Sequence, residues 1–128
     1  MTWLAIAFGG ALGSVARYAI GLALAHERAP LPYATLAINV AGSFTLGVLA
    51  RWFVAGEADP AVRLGLMIGL CGGFTTFSTF SLETVQLLQG GALGRAAAYA
   101  VLSVVLCVGA TFAGIAVARS ALAVVARA

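Results

Sequence analysis

Three features of the sequence predict an all-α integral membrane protein with four transmembrane helices: its apolar composition, its length and its evenly spaced polar turns. Hydrophobic residues make up 62% of the 128 residues and charged residues only 9%. Soluble domains carry about 25% charged residues, so this chain cannot coat a soluble surface. A span needs about 20 apolar residues. The length therefore allows four spans and short loops in one domain, residues 1–128.

The polar turns place the spans at about residues 3–25, 33–54, 61–88 and 96–117. In the turn before the third span, Asp59 is a predicted N-cap and Pro60 a predicted first helical residue. The third span contains a Gly-Gly pair followed by Thr, Ser and Phe, and we expect it to be broken in mid-membrane near residues 72–76. Non-helical backbone is tolerated there only where protein or a polar cavity surrounds it, so the break is a candidate ion site.

In the first span, Gly9, Gly13, Arg17 and Gly21 recur every four residues and share one helix face. Small residues at this spacing let two helices approach closely, which predicts a packing face. Arg17 lies about 12 Å from the predicted end of the helix. A buried arginine in a membrane marks a function or extends to the interface, so structural anchoring and a role in an ion path both remain open.

Two further spans carry polar stripes with four-residue spacing. The second span contributes Thr35, Asn39, Ser43 and Gly47, and the fourth contributes Tyr99, Ser103, Cys107 and Thr111. A single Ser or Thr can bond to its own helix and means little. The Asn39 amide needs partners in an apolar setting, either as a bond between helices or as the lining of a polar pathway.

After the expected break, the third span presents pairs of similar side chains three residues apart. Phe77 and Phe80 face one side, and the pairs Thr76/Thr79 and Ser78/Ser81 follow the same spacing. Glu83 is the one acid inside a predicted span, which makes it functional or paired; one of the arginines is its expected partner. Cys71 and Cys107 fall in apolar spans and are expected to be free thiols.

The charges give little information about orientation or partners. All seven basic residues are arginines, scattered singly, so no nucleic-acid-binding patch is indicated. Four spans would place Arg51, Arg63, Arg119 and Arg127 on one side and Arg28 and Arg95 on the other. This bias is weak. A chain this small is expected to form a homodimer, and the weak bias permits an antiparallel one with both orientations inserted.

The inventory of polar groups favours transport over catalysis. The sequence has no nucleotide-binding loop, metal cluster or paired nucleophile and base within its spans. Hydroxyl protons, the Asn39 amide and the positive edges of phenyl rings favour an anion. Carbonyls freed by the broken helix could instead hold a cation. If two antiparallel copies met at the break, these carbonyls would converge on the two-fold axis.

Three stretches resemble the Fluc-type fluoride channels of the CrcB family: residues 9–18 (GGALGSVARY), 35–44 (TLAINVAGSF) and 72–81 (GGFTTFSTFS), the last followed by Glu83. The resemblance covers nearly the whole chain, and the third stretch is the most specific. It implies an antiparallel, dual-topology homodimer with two pores that exports cytoplasmic fluoride passively, without energy coupling. It also implies a multi-pass protein of the cell (inner) membrane, whose partners are fluoride, sodium, the lipid bilayer and a second copy.

The resemblance also implies roles for individual residues. Phe77 and Phe80 match the phenyl residues that line the pores, and Asn39 matches the pore asparagine. A polar track is expected at Thr35, Ser78, Thr79, Tyr99 and Ser103. The backbone carbonyls of Gly72 and Thr75 match the ligands of a structural sodium ion, and Arg17 matches an arginine of the first span. Two positions depart from the pattern: Ala34 stands where Gly is usual, and Cys107 stands where Ser is expected and is a weaker donor.

Two other functions are compatible with part of this pattern. A small multidrug-type, proton-coupled cation exporter shares the four spans and the small size, but it needs an acid in the first span, and this first span has none. A membrane assembly protein would use the polar stripes only to hold helices together.

Overall fold

This computed structural model describes residues 1–25, 29–56 and 58–125, and all regular secondary structure within them is helical. The long helices are α1 (Thr2–Ala23), α2 (Tyr33–Ala55), α5 (Phe77–Gln89) and α6 (Leu93–Val125). Two short ones, α3 (Pro60–Leu64) and α4 (Gly72–Phe74), flank a π-helical segment, Gly65–Cys71. Arg28 and Arg127, used above to judge orientation, lie outside the described residues, as do His26 and Glu57.

Four stretches are long and apolar enough to cross a membrane: Thr2–Ala23, Tyr33–Ala55, Pro60–Gln89 and Leu93–Val125. Even the first, with 22 residues, is about 33 Å long at 1.5 Å per residue, which matches a hydrocarbon core of about 30 Å. The prediction of four membrane-spanning helices is confirmed. α6 extends beyond the predicted range 96–117 at both ends, since its helix runs from Leu93 to Val125.

The first span packs closely against the third along the predicted glycine face. A methyl group at Gly9 would overlap the Gly65 carbonyl oxygen, and one at Gly13 would overlap the Leu70 carbonyl oxygen. A glycine of the π-helical segment packs equally closely against α1, since a Cβ at Gly69 would lie 2.7 Å from the Ile6 carbonyl oxygen. The packing face is therefore confirmed for its first two members; Gly21 faces open space.

The second and fourth spans form the other closely packed pair. Gly47 lies against the backbone of Thr111, and Gly114 lies against the backbone of Phe44. The Thr111 hydroxyl donates to the Ser43 carbonyl at 3.3 Å. The structure therefore contains two glycine-mediated pairs, α1 with the third span and α2 with α6, and a groove lies between α2, the third span and α6.

The third span begins as predicted and contains two residues with extended backbone, at the C-terminal side of the range 72–76. Asp59 caps α3, since its Oδ1 accepts from the Ala61 N–H at 2.7 Å, and Pro60 is the first helical residue. Gly72, at the start of the expected break, lies within α4. The extended backbone is confined to Thr75 (φ −82°, ψ 159°) and Thr76 (φ −149°, ψ 112°).

Candidate functional site

The groove between the α2–α6 pair and the third span has a volume of about 400 Å³. It is walled by α2, by the third span on both sides of its extended residues, and by α6. Its polar lining consists of Asn39, Ser43, Thr75, Thr76, Ser103 and Cys107, and its aromatic lining of Phe77 and Phe80. Six of the residues given a role in the sequence analysis therefore share one cavity: Asn39, Gly72, Thr75, Phe77, Phe80 and Ser103.

Asn39 holds the extended backbone at the floor of the groove. Its Oδ1 accepts from the Thr76 N–H at 2.8 Å, and its Nδ2 donates to the Thr76 carbonyl at 3.0 Å. The amide thus replaces both backbone bonds that a continuous helix would have given Thr76. An amide carries two N–H donors, so Asn39 retains a second N–H for whatever enters the groove. It acts as a bond between helices and lines the cavity at once.

Thr76 both lines the groove and caps α5, a position that was not assigned to it from the sequence. It is buried, and its Oγ1 caps α5 by accepting from the Thr79 N–H at 3.1 Å. The same hydroxyl lies 2.9 Å from Thr79 Oγ1 and 3.2 Å from Ser78 Oγ. A threonine directly before a helical run is an N-cap signal, and that signal could have identified it. Ser78 and Thr79 do not line the groove but hold this cap, and Ser81 bonds to the Phe77 carbonyl of its own helix at 2.8 Å.

Phe77, Phe80 and Tyr99 form a row of rings that starts in the groove lining and ends in the interior. The centroids of Phe77 and Phe80 are 5.4 Å apart, and those of Phe80 and Tyr99 are 5.2 Å apart, with tilts of 44° and 51°. Tilted pairs at this distance expose ring edges, where the positive potential of the ring lies. Phe77 is 79% exposed while Tyr99 is fully buried, so the row leads from an open surface into the interior.

Glu83 stands at the buried end of this row. Its Oε1 accepts from the Thr35 hydroxyl at 2.8 Å, and its Oε2 accepts from the Tyr99 hydroxyl at 2.6 Å. Hydroxyls from α2 and α6 therefore bond to both carboxylate oxygens. Within the described residues no arginine pairs with Glu83, and the expected arginine partner stays a prediction, since Arg28 and Arg127 lie outside them. Three spans therefore meet at Thr35, Glu83 and Tyr99, which we call the carboxylate cluster.

Ser103 and Cys107 continue the α6 side of the groove. Ser103 is buried, and its Oγ has no hydrogen-bond partner among the described residues. A buried hydroxyl without a partner costs about 1–3 kcal/mol, so Ser103 is a donor positioned for a ligand or a water in the groove. Cys71 and Cys107 are free thiols, as predicted.

The carbonyls of Gly72 and Thr75 fit a cation site because both oxygens are free of hydrogen bonds within the described residues. Among the described residues neither accepts a hydrogen bond, whereas the Cys71 carbonyl accepts from the Thr75 N–H at 3.0 Å and the Thr76 carbonyl accepts from Asn39. The cause is local: the Thr76 N–H, which would bond to the Gly72 carbonyl in a helix, is taken by Asn39. Free backbone carbonyls at a helix break are typical alkali-cation ligands in membrane proteins.

Comparisons with known proteins identify the family. The model of the family described as "CrcB-like protein, Camphor Resistance (CrcB)" matches residues 4–115. The chain belongs to the CrcB family. Three curated relatives carry the name fluoride-specific ion channel FluC. The one from Nitrobacter winogradskyi is 50% identical, covering 93% of this chain and 98% of its own. That from Rhodospirillum centenum is 49% identical (94% and 97%), and that from Caulobacter vibrioides 45% identical (94% and 97%).

Within this CrcB chain, the groove and the carboxylate cluster contain most of the residues selected from the sequence. Arg17 is an exception: it lies half-exposed on α1, away from the groove lining. Among the described residues it makes no ion pair. The groove itself offers donors in the Asn39 amide, the Ser103 hydroxyl and the phenyl edges, with no charged side chain in its lining. That chemistry suits a small anion that must exchange water for hydrogen-bond donors and then leave again.

Proposed function

We propose that this chain forms a fluoride-specific ion channel through which fluoride leaves the cytoplasm down its own gradient, lowering a toxic internal concentration. The observation that carries the proposal is the similarity, over nearly the whole length, to relatives named fluoride-specific ion channel FluC. The function is passive conduction, not enzymatic catalysis. Export places the protein in the cell (inner) membrane as a multi-pass protein.

Conduction is assigned to the groove. Phe77 and Phe80 present ring edges to fluoride, and Asn39 and Ser103 present N–H and O–H donors. The carboxylate cluster positions Tyr99, and through it the Phe80 ring. Neutral donors are favourable because a fixed buried cation would hold the ion, while conduction needs binding weak enough for release. Ser78 and Thr79 support the N-cap of α5, and Arg17 anchors α1 outside this path.

The pore is completed by a second, inverted copy of the chain. The groove is open on one side, and Phe77 is 79% exposed in a single chain. The Asn39 amide and the Ser103 hydroxyl in an open groove would lack hydrogen-bond partners in hydrocarbon, whereas a second copy would shield them from lipid and form the missing wall. An antiparallel, dual-topology homodimer then contains two pores, with the extended residues Thr75 and Thr76 in mid-membrane beside the two-fold axis.

A structural sodium ion is proposed at this axis. The unbonded carbonyls of Gly72 and Thr75 would hold it, two from each chain, and it would supply a positive charge that stabilises the close approach of two helix breaks. Exchanging sodium for a bulky organic cation is expected to lower the dimer fraction or the flux. If both are unchanged, the carbonyls hold no sodium.

The direct test of the function is efflux from liposomes that contain the purified protein and are loaded with fluoride or chloride. Fluoride should leave through the protein while chloride is retained. Equal leakage of both ions, or of neither, would reject the proposal. A proton-coupled cation exporter would release neither fluoride nor chloride, but the internal pH of the vesicles would change when its cation substrate is added. A membrane assembly protein would cause neither ion efflux nor a pH change.

A further inference from the structure

A second pocket, of about 460 Å³, lies between the last turns of α2 and α6. It is lined by Arg51 and Ala55 from α2 and by Arg119, Leu122, Ala123 and Val125 from α6. Two of the arginines in the described residues therefore face one cavity, at the same end of two parallel helices. This pocket shares no residue with the groove assigned to conduction.

The position of this pocket corresponds to the headgroup level of a bilayer. α6 contains 33 residues, about 50 Å at 1.5 Å per residue, which exceeds the hydrocarbon thickness of about 30 Å. Its final turns therefore extend into the interface. Trp52 follows Arg51 and is 48% exposed, as expected for an aromatic residue at the membrane–water boundary.

The charge of the pocket is positive and, within the described residues, neither Arg51 nor Arg119 forms an ion pair. Asp59 is engaged at the N-terminus of α3, where its carboxylate accepts from Ala61 and Val62. Guanidinium groups bind phosphate oxygens through two parallel N–H bonds. The apolar side chains of Leu122 and Val125 beside them suit the start of an acyl chain more than a fully hydrated ion.

We propose that Arg51 and Arg119 form a binding site for the phosphate of an anionic phospholipid. Neither arginine lies in the last turn of its helix, so the helix dipole, which acts within that turn, does not account for their positions. The site needs neither the dimer nor fluoride. In an antiparallel dimer it would occur once in each leaflet.

Trp52 can report on the lipid at this site. The chain has two tryptophans, so the variant Trp3→Phe leaves Trp52 as the single reporter. The protein is reconstituted into phosphatidylcholine containing a small, equal fraction of either brominated phosphatidylglycerol or brominated phosphatidylcholine, and quenching of Trp52 is measured. Stronger quenching by phosphatidylglycerol is expected, with a local enrichment of about fivefold for each arginine.

The variant Arg51→Gln combined with Arg119→Gln should remove this preference, while Arg95→Gln, at the opposite end of α6, should keep it. Quenching by brominated phosphatidylcholine must stay unchanged in all three proteins, which shows that Trp52 still lies against lipid in a folded chain. Equal quenching by both lipids in the Trp3→Phe protein, or loss of the preference in Arg95→Gln as well, overturns the site. Loss of the preference when inorganic phosphate replaces chloride at equal ionic strength would assign the pocket to free phosphate and overturn the lipid.

Discussion

The sequence position of Glu83 predicts that this acid needs a partner, but it does not predict which residues are its partners. An acid inside an apolar span has to be paired or functional, and that much was predictable. Its partners were not, because hydroxyls on α2 and α6 approach it only after three spans pack together. Thr35 and Tyr99 bond to its two oxygens at 2.8 and 2.6 Å. Both carboxylate oxygens are thereby hydrogen-bonded within the described residues.

Removing the Tyr99 hydroxyl tests the carboxylate cluster. Tyr99→Phe keeps the ring and its contact with Phe80 but deletes a hydrogen bond to a charged group. We expect a loss of about 1.5–3 kcal/mol in stability, measured as a lower thermal unfolding midpoint of the purified protein. Tyr18→Phe is the matched control, since Tyr18 is 69% exposed. Equal midpoints for the two variants would show that the cluster contributes nothing to stability.

Phe80 is the residue that tests the ring edges. Phe80→Ile removes the aromatic edge while keeping an apolar side chain, so fluoride flux from liposomes should fall by about fivefold to tenfold, from about 1–1.4 kcal/mol of lost attraction. Phe112→Ile serves as a control, because Phe112 is 69% exposed on α6 and lies outside the groove. Flux that is the same in both variants would remove the rings from the pore.

At the scale of elements, the third span shows that a Gly-Gly pair locates an interruption of the helical backbone only to within a few residues. A Gly-Gly pair loosens a helix, yet Gly73 stays helical because its missing side chain lets it approach Gly10 of α1. The extended backbone falls instead at Thr75 and Thr76, where Asn39 of another helix takes the Thr76 N–H at 2.8 Å. The position of the break depends on a tertiary contact that periodicity within one helix does not contain.

The packing of α1 on the third span can be tested with two glycines of one helix. Gly9→Ala would force a methyl group against the Gly65 carbonyl and separate the helices, and a cost of about 1–3 kcal/mol is expected. Gly21→Ala meets open space and should be neutral or stabilise α1 by about 0.5–1 kcal/mol. Thermal unfolding of both variants provides the comparison. A Gly9 variant as stable as the Gly21 variant would contradict the close packing.

At the scale of the whole molecule, the number of spans and the small-residue faces followed from composition and four-residue spacing. Residues that share a groove did not follow from spacing alone: Asn39 and Ser103 come together because α2 and α6 pack through Gly47 and Gly114. A second chain packed against this one is likewise not determined by residue spacing. Its presence is inferred from an open groove with an exposed Phe77 at its edge.

Dual topology predicts that each loop is found on both sides of the membrane. In a background of Cys71→Ala and Cys107→Ser, Gly56→Cys and Gly94→Cys place thiols at opposite ends of the spans, each in open space. A membrane-impermeant thiol reagent added to sealed vesicles should label about half of the molecules at either position, because the arginine bias is weak. Full labelling at one position and none at the other would establish a single orientation.

The central claim is that this CrcB chain conducts fluoride and excludes other anions of the same charge. The most direct measurement is the reversal potential of the purified protein in a planar bilayer with fluoride on one side and chloride on the other. Fluoride-selective conduction predicts a large reversal potential, of the sign that opposes the movement of fluoride down its gradient. A reversal potential at zero, with current carried equally by both ions, would contradict the account.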